Sequence, residues 1–173
     1  EQVREGSVGA GTGATVGKIL GMHRAVKGGL GTTCIDLGDG LLVGAIVAVN
    51  SIGSVIDPAT NQILAGPRKE DSSGFLDTVE LMVQPGFQAT ESQVPTNTTI
   101  GVVATNATLT KEDVHRLAIM AQDGISIAVR PSHTMADGDV VFAVATGEGK
   151  ASVNHGSLSR LGTAAAEAMS RAI

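Results

Sequence analysis

The segment Asn97-Thr98-Thr99 stands directly before the apolar run 100–104, where a hydroxyl nucleophile could be held at the start of a strand. If the Asn97–Thr98 bond is cut, Thr98 becomes an N-terminal residue. Its α-amine, with an unperturbed pKa of about 7.7–8.0, can then act as general base for its own hydroxyl near neutral pH. Two simpler interpretations stay open at this point: a turn before a strand, and the N-glycosylation pattern that Asn97-x-Thr99 and Asn106-x-Thr108 both satisfy.

A second candidate is Asp137-Gly138-Asp139, two carboxylates that flank a glycine just before another apolar run. On an extended segment, alternate residues point to the same side, so both carboxylates would face one way. Such a pair could share a proton, orient an ammonium group or bind a cation. A plain Asp-Gly turn is the alternative.

Other motifs of catalysis or cofactor binding fail on spacing. The run 9–18 is glycine-rich and ends in Lys18, but a P-loop would require Gly at position 12 and Ser or Thr at position 19, which hold Thr12 and Ile19. Glycines spaced GxGxG do not make a dinucleotide fingerprint, and a Gly-x-Ser-x-Gly elbow is absent. The four histidines are scattered and lack the spacing of metal ligands, so neither a zinc site nor a cofactor is predicted. Each is expected to be an ordinary surface or core histidine.

Composition excludes several classes of partner. The chain has 173 residues, 12 basic against 17 acidic, a net charge of -5 and no basic cluster, so nucleic-acid binding is not expected. The longest apolar stretch, 41–49, is too short to span a membrane. A single cysteine, Cys34, fits a reducing compartment, which predicts a cytoplasmic protein. Glu1 is not an initiator Met, so we expect a fragment or a processed product.

The pattern of apolar residues and turn signals predicts a layered α+β protein forming one structural domain. Strands are expected at 33–37 and 41–49, joined by a hairpin at Gly38-Asp39-Gly40, and also at 54–56, 100–104 and 140–146, the last two buried. Residues 66–96 are expected to form a long surface loop. A helix capped at Thr110, which Gly124 would interrupt, and a second helix at 158–173 complete the prediction.

Five blocks in the same order resemble the DmpA/BapA family of self-processing aminopeptidases and amidases, which includes the nylon-oligomer hydrolase NylC and is related in architecture to ornithine acetyltransferase. The blocks are Gly9-Ala10-Gly11-Thr12-Gly13-Ala14 with Gly17-Lys18, then Lys27-Gly28-Gly29-Leu30-Gly31, Val49-Asn50, Asn97-Thr98-Thr99-Ile100, and Arg130-Pro131-Ser132-His133-Thr134 leading to Asp137-Gly138-Asp139. The resemblance covers nearly the whole chain but only the C-terminal part of a family member, since roughly 150 residues, a domain's worth, precede this region in the family.

The resemblance implies a role for each matching position. Thr98 would be the nucleophile, freed by cleavage after Asn97, so that residues 1–97 belong to the larger subunit and 98–173 form the smaller one. Lys18 would lie beside the nucleophile and Asn50 would stabilise the oxyanion. Asp137 and Asp139 would hydrogen-bond the nucleophile and its amine; the peptidase branch has Ser and Glu there, so this chain leans toward the Asp-x-Asp branch.

The resemblance also implies an αββα sandwich, with half of its strands supplied by the missing N-terminal part, and a homo-oligomer. Either the same protein or another chain would supply that part. The expected substrate is a short peptide, a β-amino acid amide, a D-amino acid ester or amide, or a 6-aminohexanoate oligomer. Two alternatives stay open: an acyl transferase of the ornithine acetyltransferase kind and a non-catalytic fragment.

Overall fold

A computed structural model describes residues 3–88, 97–149 and 155–173. In chain order the strands are β1 (Thr15–Val16), β2 (Val26–Lys27), β3 (Gly29–Asp36), β4 (Leu42–Val49), β5 (Ser54–Ile56), β6 (Ile63–Ala65), β7 (Ile100–Thr105), β8 (Val129–Arg130) and β9 (Val140–Ala145). The α-helices are α1 (Thr78–Met82), α2 (Lys111–Ala128) and α3 (His155–Ala172). This mixture of sheets and helices confirms the α+β prediction.

The main sheet has four strands in the order β3-β4-β7-β9. The first three are mutually antiparallel, whereas β7 and β9 run parallel. The hairpin between β3 and β4 is confirmed, and its turn uses Asp39 with a φ of 54° between Gly38 and Gly40. Strand β3 begins at Gly29, earlier than predicted, because Gly29 to Thr32 continue the pairing with β4 despite the low strand propensity of the two glycines.

Helices α2 and α3 pack against each other and cover one face of the main sheet. The core between them contains Val47 of β4, Val103 of β7, Leu117 of α2 and Leu161 of α3, all fully buried. Removing this apolar surface from water is the main force that holds the helices on the sheet.

The opposite face of the main sheet is apolar and largely exposed. Leu42, Ile46, Ile100, Phe142 and Val144 are each more than a third exposed. The prediction that 100–104 and 140–146 form buried strands was therefore wrong for their outer face, which includes Ile100, Phe142 and Val144. The inner-facing residues of β7 are buried, as predicted. A continuous apolar run is expected for a strand that is buried on both faces, and this strand has the same sequence whether or not this chain covers its outer face. The pattern alone therefore could not distinguish the two cases. The second sheet of the αββα sandwich stays a prediction.

Helix α2 confirms the capping prediction but not the interruption. Thr110 and Asp113 form a reciprocal capping box, in which the Thr110 side chain accepts the Asp113 N–H at 3.2 Å. Gly124 does not interrupt the helix, which continues to Ala128. The glycine instead gives α3 room to approach, because a Cβ at this position would lie 2.3 Å from Ala166 O. Helix α3 confirms the last predicted helix and begins three residues earlier, at His155.

Substituting Gly124→Ala should therefore lower the free energy of unfolding by about 1–3 kcal/mol, because the added methyl group must force α2 and α3 apart. Chemical denaturation measures this change. Gly44→Ala is the matched control, since a Cβ there meets only Thr33 O at an ordinary 3.5 Å. An equal loss of stability in both variants would contradict the close helix contact.

The predicted surface loop 66–96 contains helix α1, so that prediction was wrong in part. Asp77 caps this helix by accepting the N–H groups of Val79 and Glu80. A five-residue helix carries too little periodicity to be seen in sequence. Residues 89–96 of the predicted loop lie outside the described part.

The predicted short strand at 54–56 is confirmed as β5, which pairs with β6 and β8. Within the described ranges, each helix is too short or too polar to cross a membrane.

Candidate active site

The topology of the main sheet brings three segments to one of its edges. Since β4 and β7 are antiparallel, the residues after β4 lie beside the residues before β7. Since β7 and β9 are parallel, the residues before both strands also lie side by side. Asn50, Thr98 and the segment 137–139 therefore meet at this edge, as a parallel bridge between Asn97 and Asp137 confirms.

The Asn97–Thr98 peptide is held by hydrogen bonds at both ends. The Thr98 N–H donates to Asn50 O at 2.9 Å, and the Gly138 N–H donates to Asn97 O at 2.9 Å. The Thr98 hydroxyl donates to the same Asn97 oxygen at 2.6 Å. Asn97 is buried, and Thr98 is half-buried. The Thr98 hydroxyl and the carbonyl that precedes it are thus held together in a site that is partly buried.

Lys18 and Asn50 line the site next to Thr98. Lys18 Nζ donates to Asn50 Oδ1 at 2.7 Å and to Asn50 O at 3.1 Å, while the Thr15 N–H donates to Asn50 Oδ1 at 3.0 Å. Two donors at Oδ1 fix the orientation of the amide, so its NH₂ group points the other way. An amide fixed in this way is a preorganised donor.

The backbone before Lys18 is tightly constrained. Gly17 has a φ of 72°, and a Cβ there would lie 2.3 Å from Gly66 C. The N–H groups of Gly17 and Lys18 donate to Gly53 O and Ile52 O. These contacts hold the Lys18 side chain against the segment that follows β4.

Burial lowers the pKa of Lys18 from 10.5 to about 8, and the negative charge of Asp137 partly opposes this shift. The residue is only 6% exposed, and burial disfavours the charged form because it removes water from the ammonium group. Near neutral pH, the ammonium form still predominates, but it is close to losing its proton.

This lowered pKa predicts how stability depends on pH. Between pH about 8 and 10.5 the unfolded chain keeps a proton on Lys18 that the folded chain has released, so the contribution of Lys18 to the free energy of unfolding rises with pH. Chemical denaturation of wild type and Lys18→Met should therefore show a difference that shifts in favour of wild type across this window. Lys27→Met, at an exposed lysine of β2, gives the baseline for losing one lysine. A difference for Lys18→Met that stays level with this baseline would contradict the prediction.

In the uncut chain the two carboxylates bond to neighbours of Thr98, and their implied bonds to the nucleophile and its free amine stay a prediction. Asp137 accepts hydrogen bonds from Thr134 Oγ1 at 2.6 Å and from the Ile52 N–H at 3.3 Å. Asp139, with its side chain only 2% exposed, accepts from the Thr99 N–H at 2.7 Å. In the continuous chain described here, both carboxylates therefore position the segments around Thr98 instead of bonding to its hydroxyl or nitrogen.

His133 is a part of the site that sequence reasoning missed. It was expected to be an ordinary histidine. Its ring Nδ1 lies 3.0 Å from Asp139 Oδ2, and its backbone N–H donates to the same oxygen at 3.1 Å. The backbone of His133 itself has a left-handed conformation, with a φ of 55°. Its place in the block that leads to Asp137 was the available signal, because spacing between histidines cannot detect a His–Asp pair.

No group of His, Cys, Asp and Glu that could hold a metal ion occurs among the residues the structure describes. The chemistry available at the site comes from Thr98, Lys18, the Asn50 amide, the Gly138 N–H and the two carboxylates. This set is suited to acyl transfer, in which a hydroxyl attacks a carbonyl and fixed donors stabilise the oxyanion.

Comparison with known proteins agrees with that chemistry. The model of peptidase family S58 matches residues 1–173. An uncharacterized aminopeptidase of Mycobacterium leprae is 39% identical over 99% of this chain and 48% of its own length. A 6-aminohexanoate-oligomer endohydrolase of Paenarthrobacter ureafaciens is 28% identical over 83% of this chain and 40% of its own length. The chain thus spans about half the length of such relatives.

Solved structures share the fold over the same extent. A Burkholderia β-aminopeptidase is 27% identical, with a TM-score of 0.60 over 99% of this chain and 45% of its own. The L-aminopeptidase D-Ala-esterase/amidase of Ochrobactrum anthropi, described as a variant of the Ntn hydrolase fold, gives a TM-score of 0.63 at 22% identity over 99% of this chain and 44% of its own. The fold described above is therefore that of this structural group.

Proposed function

Since this chain belongs to peptidase family S58, we propose that it is the part of an amide hydrolase that carries the nucleophile Thr98, and that it cleaves itself between Asn97 and Thr98. One observation carries the proposal: the Thr98 hydroxyl donates a hydrogen bond of 2.6 Å to the Asn97 oxygen, which holds it beside the carbonyl whose carbon it must attack. Residues 1–97 then belong to the larger subunit and residues 98–173 form the smaller one.

Self-cleavage begins when Thr98 Oγ1 bonds to the carbonyl carbon of Asn97. The C–N bond between Asn97 and Thr98 breaks, and the hydroxyl proton ends on the departing Thr98 nitrogen. Water then hydrolyses the ester, which leaves a carboxylate on Asn97 and a free hydroxyl and amine on Thr98. The buried carbonyl and its nearby donors support this step, because charge that develops in a partly dry site is stabilised more strongly than in water.

Hydrolysis of a substrate amide repeats this chemistry with the new amine as base. The Thr98 nitrogen lies 2.9 Å from Asn50 O, and Lys18 Nζ lies 3.1 Å from the same oxygen. A Lys18 ammonium so close to the new amine disfavours its protonation and thus keeps it available as a base. The Asn50 amide stabilises the oxyanion of the substrate, and water releases the acyl group.

The substrate class that we propose follows the relatives: short peptides with a free amino terminus or linear amides such as 6-aminohexanoate oligomers. This chain covers 48% and 40% of the lengths of the two relatives described above, so the substrate class is proposed for the whole protein.

An assay that separates hydrolysis from acyl transfer tests this function. The whole natural protein is incubated with an aminoacyl anilide panel and with aminohexanoate dimers and longer oligomers, in the presence and absence of ornithine as acceptor. Release of free acid at the same rate with and without ornithine supports a hydrolase. Formation of acyl-ornithine in preference to free acid would identify a transferase, and no turnover of any substrate would contradict the proposal.

A further inference from the structure

We infer that the backbone N–H of Gly138 is an oxyanion donor for cleavage of the Asn97–Thr98 bond, an inference that rests on the proposed function. This N–H donates to Asn97 O at 2.9 Å. When Thr98 Oγ1 bonds to the Asn97 carbon, negative charge develops on that oxygen before the C–N bond breaks. A donor already aimed at the oxygen stabilises the charge without having to reorganise.

The neighbours of Gly138 fix the direction of this N–H. On one side, the Asp137 N–H donates to Thr134 O at 3.0 Å, and the Asp137 carboxylate accepts from Thr134 Oγ1 at 2.6 Å. On the other side, Asp139 accepts the Thr99 N–H at 2.7 Å. The two carboxylates thus lock the short segment that presents the donor, which gives them a role in self-cleavage without direct contact to the Thr98 hydroxyl.

Glycine at position 138 follows from the same geometry. A Cβ there would lie 2.9 Å from Thr98 Oγ1, closer than such atoms come in proteins. A side chain would therefore push the nucleophile away from the carbonyl. The glycine between the two aspartates allows the backbone to approach the reacting atoms directly.

The Asn50 amide has a different orientation. Its Oδ1 faces Lys18 and Thr15, and its backbone oxygen receives the Thr98 N–H. The carbonyl of Asn97 instead meets the Gly138 N–H. Self-cleavage therefore depends on the Gly138 donor, while the Asn50 amide serves the carbonyl of a later substrate.

Replacing Gly138 with glycolic acid by cell-free translation of the full chain removes this N–H and adds no side chain. We expect the rate of self-cleavage to fall on the order of 10²–10³-fold, as when one oxyanion donor is lost. The matched control is 2-hydroxyisovaleric acid in place of Val140, which removes the hydrogen bond from the Val140 N–H to Thr99 O at 3.0 Å. This control should cleave within about threefold of wild type, since its lost bond does not touch the reacting carbonyl.

The outcomes separate the two proposals. A wild-type chain that stays uncut contradicts the proposed function itself. A wild-type chain that cleaves, together with a Gly138 ester that is as fast as the Val140 ester, overturns only the role of Gly138. Equal slowing by both esters also overturns it, because general loosening would then explain the loss.

A second measurement leaves the backbone intact. In the Thr98→Ala chain, a scalar coupling across the hydrogen bond between Gly138 ¹⁵N and Asn97 ¹³C′ reports the contact directly by NMR. We expect to observe this coupling in the folded, uncut chain. A folded chain without it would overturn the inference.

Discussion

Thr98→Ala should lower the rate of amide hydrolysis by on the order of 10⁴-fold or more, the scale of loss seen when a nucleophile is removed from a site that works as a unit. The variant lacks the hydroxyl that forms the acyl-enzyme, and it also cannot release the amine that acts as base. Steady-state assays with the substrate panel measure the loss. Circular dichroism should show a native fold, because Thr98 is only half-buried and its N–H still bonds to Asn50 O.

Two control variants distinguish this role from a general effect of the threonine pair. Thr98→Ser keeps the hydroxyl and should retain both self-cleavage and measurable hydrolysis. Thr99→Val removes the neighbouring hydroxyl, which is buried and has no hydrogen-bond partner in the described part of the chain, so activity should be kept and stability unchanged or raised. Loss of activity in Thr99→Val with activity retained in Thr98→Ala would show that the wrong threonine has been assigned.

Asn50→Ala should lower kcat/KM for amide hydrolysis by about 10²–10³-fold, because it removes the side-chain donor that we propose for the substrate oxyanion. Self-cleavage should be slowed less, since the Asn97 carbonyl is hydrogen-bonded to Gly138. Kinetic assays and the time course of chain cleavage measure the two effects on the same protein preparation.

Asn50→Asp refines this test, because the carboxylate keeps an acceptor for Lys18 and Thr15 but offers no NH₂ donor. It should be about as impaired in hydrolysis as Asn50→Ala. Asn106→Ala is the matched control at a distant amide, which bonds to Gly40 O and the Leu42 N–H; this variant should lose stability but not activity. Wild-type rates in Asn50→Asp would contradict a donor role for the amide.

The sequence predicted those elements whose geometry is determined by residues within the element itself. The Asp-Gly turn between β3 and β4 and the Thr110 capping box were predicted because their residues determine nearby backbone geometry. Helix α1 also has a capping residue, Asp77, but its five residues carry too little apolar periodicity to predict a helix. The left-handed conformation of His133 had no local signal. The close packing of α2 at Gly124 depends on α3, more than 30 residues later, and could not be predicted locally.

The site illustrates the same distinction. Thr98 and the Asp137-Gly138-Asp139 segment were recognised as candidates from residue type, and the resemblance added Lys18 and Asn50. Their meeting at one edge depends on the antiparallel register of β4 with β7 and the parallel register of β7 with β9. Residue spacing does not contain that register, and thus could not predict the Gly138 contact with the Asn97 carbonyl.

Intact-mass spectrometry of the denatured wild-type protein tests the central claim most directly. We expect two fragments whose masses correspond to cleavage between Asn97 and Thr98, and the sequence of the smaller one should begin at Thr98. A single chain with an intact Asn97–Thr98 bond, in a whole protein that hydrolyses amides, would contradict the assignment of Thr98 as an N-terminal nucleophile.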